Sequence, residues 1–283
     1  MYIYLKVLRG AGRKGRIHMN TNDAEKKSQN QVKKLLVNSV VDYIKEVEYL
    51  VKDYTKENLV FRGHESVDYD LIPSIGRKDK QNNQFLYGEV EEKNMFYEFC
   101  RLYYPYTKHR PIRRLDMLFL AQHYELPTRL LDWSFNPLIA LYFACEEDKD
   151  KKNGQVLVRS AVNKNKSKGK EGENKIKIRI EDSDVDPFED FKENQIIIPD
   201  NIDIRYRNQQ GVFEIFANPW KENKEVVARI DIPHDAKSAI RESLSHVGID
   251  KKFVYPTLEN LAKEIGDKYK NGNRSENNNH KKE

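Results

Sequence analysis

Cysteine is scarce in this 283-residue chain: Cys100 and Cys145 are the two, each in an apolar pattern without metal-ligand spacing. That pattern favours buried thiols over a disulfide or a zinc site. Apolar runs are short, and none approaches the ~18 consecutive apolar residues of a membrane-spanning helix. The start lacks an apolar stretch followed by a small-residue cleavage site, so secretion and membrane attachment are not expected and the cytoplasm is. No internal repeat is found. No pair of carboxylates or histidines in helical register accompanies Asp132 or His123, so no metal is expected.

What the chain does have is charge and aromatic residues. Charged residues make up 34% and hydrophobic residues 38%, with 16 Tyr and 12 Phe, a soluble globular mix with aromatic anchors for one substantial core. The net charge of +5 is matched by Lys6, Arg9, Arg13, Lys14 and Arg16 in residues 1–18, which hold no acid. The remainder is formally neutral. A solvated tail is the expected reading of this leader, with Met19 as a second plausible start, and a phosphate-gripping arm is the functional alternative.

Leu36, Val40, Tyr43, Ile44, Val47, Leu50 and Val51, spaced by three and four, predict one long amphipathic helix over 31–56. Leu59–Phe61 reads as a brief strand that breaks at Gly63. Helices are expected over 92–104 and 114–124, and another from Pro137 with Asn136 as its cap. Between them "ELPTRLLDWSFNP" (125–137) reads as a Pro-bounded loop. Short β-branched and aromatic runs at 155–160, 195–198, 202–206, 212–216 and 226–232 predict strands. Two helices come after these, over 234–246 and 257–269, the second capped by Thr257. The expected fold is α+β, a helical N-terminal half packed on a mainly antiparallel sheet formed by the second half. Its map is a disordered leader (1–30), a single domain (31–269) with a charged, low-complexity insertion (163–175), and a disordered tail (270–283).

One local feature points to chemistry. In "LVFRGH" (59–64) an arginine follows the aromatic residue of an apolar run, where continued apolar packing would be simpler. Successive strand residues alternate faces, so Phe61 is expected in the core and Arg62 in a cleft. "FRG" (61–63) is followed by "DYDLIPSIGR" (68–77), "LAQHYELPTRLLDWSFNPLIALYFAC" (120–145), "RYRNQQGVFEIF" (205–216) and "KFVYPTLENLAKEI" (252–265). Together these blocks resemble the FRG domain, named for its Phe/Tyr-Arg-Gly motif. The order of a strand-end arginine, a Ser/Thr-bearing segment and a late Gln/Glu-bearing strand is also similar to that of arginine-type mono-ADP-ribosyltransferases.

That second resemblance implies an ADP-ribosyltransferase-like fold, NAD as substrate and a protein or nucleic-acid acceptor. Toxin or phage-defence biology would suit such an enzyme. On this reading Arg62 grips phosphate or ribose with its planar guanidinium, and Gly63 lets the nicotinamide approach the backbone. Glu214, or failing that Asp132, stabilises the ribose as it becomes oxocarbenium-like. The ligand-binding set is completed by His64, Gln122, His123, Thr128, Arg129, Trp133, Ser134, Gln209 and Gln210, with Trp133 or Tyr124 stacking on a ring. The spacing departs from the transferases, because Gln210 and Glu214 are four apart and no E/Q-x-E motif is present.

Each of these residues also has a structural reading. Arg129 and Asp132 equally suit an ion pair stapling the loop while Trp133 fills core, and a lone His123 is more often a half-buried structural histidine than a catalyst. A non-catalytic nucleotide-sensing or protein-binding module would keep Arg62, Arg129 and Gln210 and needs no E/Q-x-E. A hydrolase or nuclease would rely on Asp132 with His123 or His64.

Overall fold

The structure is a computed structural model that describes residues 32–54, 59–108, 110–146, 151–161, 185–199 and 204–270. The leader (1–30) and the insertion (163–175) lie outside the described residues, as does all of the tail except Lys270. The chain divides into two units: Met1–Val32, of which Val32 alone is described, and Lys33–Glu283, which holds all the elements of the fold.

The expected long helix over 31–56 is instead a strand and a helix, β1 (Lys33–Leu36) and α1 (Val40–Asp53). Ser39 decides the boundary, since its hydroxyl accepts from the Asp42 N–H and caps α1. Leu36, counted in the helical stripe, is 63% exposed, while β1 pairs in parallel with β7 (Ala228–Ile232). Tyr43 and Leu50 are the α1 side chains fully buried in the core, and Val40, Val47 and Val51 pack against it.

β2 (Leu59–His64) does not break at Gly63; all six residues pair antiparallel with β4 (Gly154–Ser160). After α2 (Glu89–Leu102) and α3 (Arg114–His123), the expected Pro-bounded loop is strand β3 (Leu130–Ser134). It lies between β2 and β6 (Gly211–Ile215). Asn136 caps α4 (Pro137–Ala144) as expected, accepting from the Leu138 N–H. With β5 (Gln195–Ile197), the seven-stranded sheet has the order β1-β7-β4-β2-β3-β6-β5 and is antiparallel except at β1–β7. The fold is therefore α+β, but the sheet is not the property of the second half, because β1, β2 and β3 come from the first.

The expected strand at 202–206 falls, over its described part, in helix α5 (Ile204–Gln209). Its Ile204 is 52% exposed, and the Asn208 and Gln209 amides donate to the Phe253 and Val254 carbonyls of α7 (Lys251–Val254). α6 (Lys237–His246) precedes α7, and α8 (Leu258–Lys268) closes the described chain, capped by Thr257. Both cysteines are free; Cys145 is buried and Cys100 half-buried. Among the described residues no helix is long and apolar enough to cross a membrane.

Alternation along the strands sorts the core. Phe61, Val156, Val158 and Ile230 meet α1, α4 and α6 in one cluster. Leu130, Phe213 and Ile215 meet α2 and α3 in a second. The opposite sheet face holds Val60, Leu131, Trp133, Leu157 and Val212, packed with Leu71 of the segment after β2. Each such buried side chain contributes about 1.5–3 kcal/mol. This last face also carries the Arg62 side chain, opposite Phe61 on β2.

Candidate functional site

β2 and β3 are in register at Phe61 and Ser134. Phe61 enters the core and Arg62 projects to the opposite face, its side chain 17% exposed. Its Nη1 donates to the Asp132 carbonyl at 2.6 Å and its Nε donates to His64 Nε2 at 3.0 Å. The Asp132 carboxylate is further away, with Oδ2 4.0 Å from Nη1, and its side chain is 55% exposed. That carboxylate is steadied from α3, where Gln122 Nε2 donates to Oδ2 at 3.1 Å. Thr128 Oγ1 donates to Gln122 Oε1 at 2.6 Å and accepts from the Leu130 N–H at 3.1 Å. The Thr128 N–H in turn donates to Ser74 Oγ at 3.1 Å. Arg62, His64, Gln122, Thr128 and Asp132 are thus brought together by β2, the end of α3, the start of β3 and the turn at Ser74–Gly76.

Charge in this cluster is positive and unevenly matched. Burial pushes the Arg62 guanidinium down to about 10, Asp132 opposes the shift and Arg77 adds to it. The group stays protonated at neutral pH. His64 is pushed down to about 3, first by burial and then by Arg62 and Arg77, against a hydrogen bond to the Tyr69 backbone. It is therefore a neutral imidazole that accepts from Arg62, which removes it as an acid or base near pH 7 and makes it a positioning residue. Gln155, fully buried and paired with His64 across β2–β4, packs its amide 3.4 Å from His64 Nδ1.

The other expected residues are built into the frame. Gly63 does not face a ligand: a Cβ there would sit 1.9 Å from the Ala140 carbonyl oxygen of α4, so its use is the close approach of helix to strand. Arg129 pairs with Glu92 of α2 rather than with Asp132, through Nε–Oε1 at 2.8 Å and Nη2–Oε2 at 2.6 Å, both residues being buried. Glu214 is fully buried and accepts from Trp133 Nε1 at 3.1 Å, from Asn223 Nδ2 at 2.6 Å and from Arg159 Nη1. A carboxylate so enclosed cannot face a reacting ribose, and the same bonds make Trp133 a core residue rather than a stacking platform. Ser134 Oγ donates to the Gln209 carbonyl at 2.6 Å, Gln209 is tied to α7, and Gln210 turns the chain into β6 with a φ of 47°. His123 packs its ring against Tyr124 and Tyr206. The Gln209–Glu214 block therefore does not join the Arg62 cluster.

Sequence reasoning missed Glu92, Arg159, Asn223 and Arg77. For Arg159 the signal was there, because "QVLVRS" sets an arginine in an apolar strand just as "LVFRGH" does. Glu92 carries no such mark among the acids of α2. Among the described residues, no group of three or more His, Cys, Asp or Glu is placed to hold a metal.

The arrangement is that of a cationic, hydrogen-bonding cluster at the junction of β2 and β3 in an α+β sheet. Residues 57–153 match the family model of the FRG domain. That stretch, about a third of the chain, contains Arg62, His64, Gln122, Thr128 and Asp132 and ends before Arg159 and Glu214. No curated protein and no solved structure matches the chain.

Proposed function

We propose that the protein is a nucleotide-binding FRG-domain module whose site is the Arg62–Asp132 cluster, with a ligand phosphate on the Arg62 guanidinium. One contrast carries the reading. The Arg129 guanidinium meets a carboxylate oxygen at 2.6 Å, whereas the nearest carboxylate oxygen of Asp132 lies 4.0 Å from Arg62. A half-buried cation matched at that distance, with Arg77 adding positive field, is a receptor for an anion. The exposed Asp132 carboxylate beside it suits the hydroxyls of a ribose. NAD and ADP-ribose combine both groups.

A second reading, NAD-dependent ADP-ribosyl transfer to a macromolecule, is favoured by one observation only: Asp132 is a carboxylate held by Gln122 near the proposed phosphate position. It would replace the enclosed Glu214 in stabilising a positive ribose as nicotinamide departs.

Isothermal titration with NAD, ADP-ribose and ATP tests the proposal. The native chain should bind at least one of them, and Arg62→Ala should bind about ten-fold more weakly or worse, as expected for loss of charge-assisted hydrogen bonds. No binding of any of the three ends it. Nicotinamide release that is lost in Asp132→Asn with binding retained would establish the transferase reading, and binding without release would leave the module.

A further inference from the structure

The connection from α2 into the first residue of α3, "YYPYTKHRPIRR" (103–114), contains no acid. Two of its cations are matched on the protein, Arg113 by Asp116 and Arg114 by Asp186. Tyr104–Tyr106 is a single 3-10 turn stiffened by Pro105. It holds outward two rings that are 63% and 86% exposed, and Ile112 beyond them is 93% exposed. Large apolar groups held in water on a stiffened segment mark a docking surface. The Arg110 guanidinium lies 3.9 Å from the centre of the Tyr104 ring and donates to the Tyr104 and Thr107 carbonyls. Lys108 is exposed beside it.

From this geometry we propose that the ridge docks single-stranded nucleic acid, with bases stacked on Tyr104 and Tyr106 and the phosphate backbone running along Lys108 and Arg110. Exposed rings interleaved with cations are what a single strand needs, since every base has a π-face and every linkage a charge. An acidic peptide fits less well. It could pair with the cations but would make no use of the flat faces of Tyr104 and Tyr106. The site is independent of the Arg62 cluster: the ridge leads into the N-terminus of α3 and Gln122 lies near its C-terminus, about 15 Å along a ten-residue helix.

Fluorescence anisotropy of the full chain with a labelled oligouridylate, in about 50 mM salt, is the test. The native chain should bind, and Tyr104→Ala combined with Tyr106→Ala should weaken binding roughly ten-fold or more. Thermal melting should be unchanged, because both rings are exposed. Lys108→Gln should lower the slope of log affinity against log salt by about 0.7. Failure of the native chain to bind overturns the proposal. So does undiminished binding by the double variant, whichever other basic segment then holds the strand. Poly-glutamate binding with the same dependence on the two tyrosines would assign the ridge to an acidic peptide. Self-association lost with those tyrosines would assign it to a second copy.

Discussion

Gly63→Ala separates two uses of the glycine in Phe61-Arg62-Gly63. Its φ is not in the left-handed region, so backbone freedom is not what the position requires. Space is. An added Cβ would lie 1.9 Å from the Ala140 carbonyl oxygen, 2.6 Å from the Ala144 nitrogen and 2.9 Å from Phe143 Cβ. Ordinary contact begins near 3.4 Å, so β2 and α4 would have to part by about 1.5 Å. Ile139, Ala140, Leu141 and Ala144 sit in the core cluster that this helix seals. Overpacking costs about 1–3 kcal/mol, and two of these obstacles are backbone atoms that cannot rotate away, which places the loss near 3 kcal/mol. At roughly 2–4 °C per kcal/mol for a domain of this size, the melting temperature should fall by about 6–12 °C. Calorimetry or far-UV circular dichroism reads this directly. A melting temperature within about 2 °C of the native chain would refute the packing argument. If nucleotide binding were lost at the same time, the glycine would be serving a ligand instead.

The buried ion pairs and His64 yield three more predictions. Arg129→Met strands Glu92 in the core and should lower stability by about 3–5 kcal/mol in urea titration, while adding Glu92→Leu should restore most of it; a double variant no better than the single would contradict the pairing. Glu214→Gln removes the buried one of Arg159's two carboxylate partners and leaves the exposed Glu225, so it should cost about 1–3 kcal/mol, less than Arg129→Met. A Glu214→Gln chain of native stability would mean that Arg159 does not depend on Glu214. For His64 the unfolded chain takes up a proton as pH falls below 6.5, whereas the folded one resists until about 3. Stability should therefore fall with pH through that window by roughly 1 kcal/mol per unit, and His64→Gln should flatten the dependence between pH 6.5 and 5. Identical pH profiles for the two proteins would rule this out.

Much of the fold follows from local pattern. Asn136 and Thr257 cap the helices that begin after them, and the alternation of "QVLVRS" makes a strand wherever it lies. Phe61 and Arg62 were bound to face opposite ways once their segment was extended. Short apolar runs bounded by proline were less legible, because length and composition do not separate a central strand from a connection. Thus "RLLDWS" read as loop and proved to be β3 in the middle of the sheet, while Leu36 counted towards a helix that Ser39 starts only after it.

The candidate site was half legible, and the division has one cause. A charge in an apolar strand announces that it needs a partner, but the sequence does not say which. Arg129 had Asp132 three residues away and took Glu92, 37 residues away; Arg159 took Glu214, 55 residues on. Partner choice depends on strand order and register, which are set by long-range packing, and a shift of one residue turns every side chain to the other face. The sequence by itself determined that Arg62 would leave the core at the end of an apolar run. Only the tertiary structure enclosed Glu214 and left Asp132 beside Arg62, because only the assembled sheet brings β2, β3 and β6 side by side.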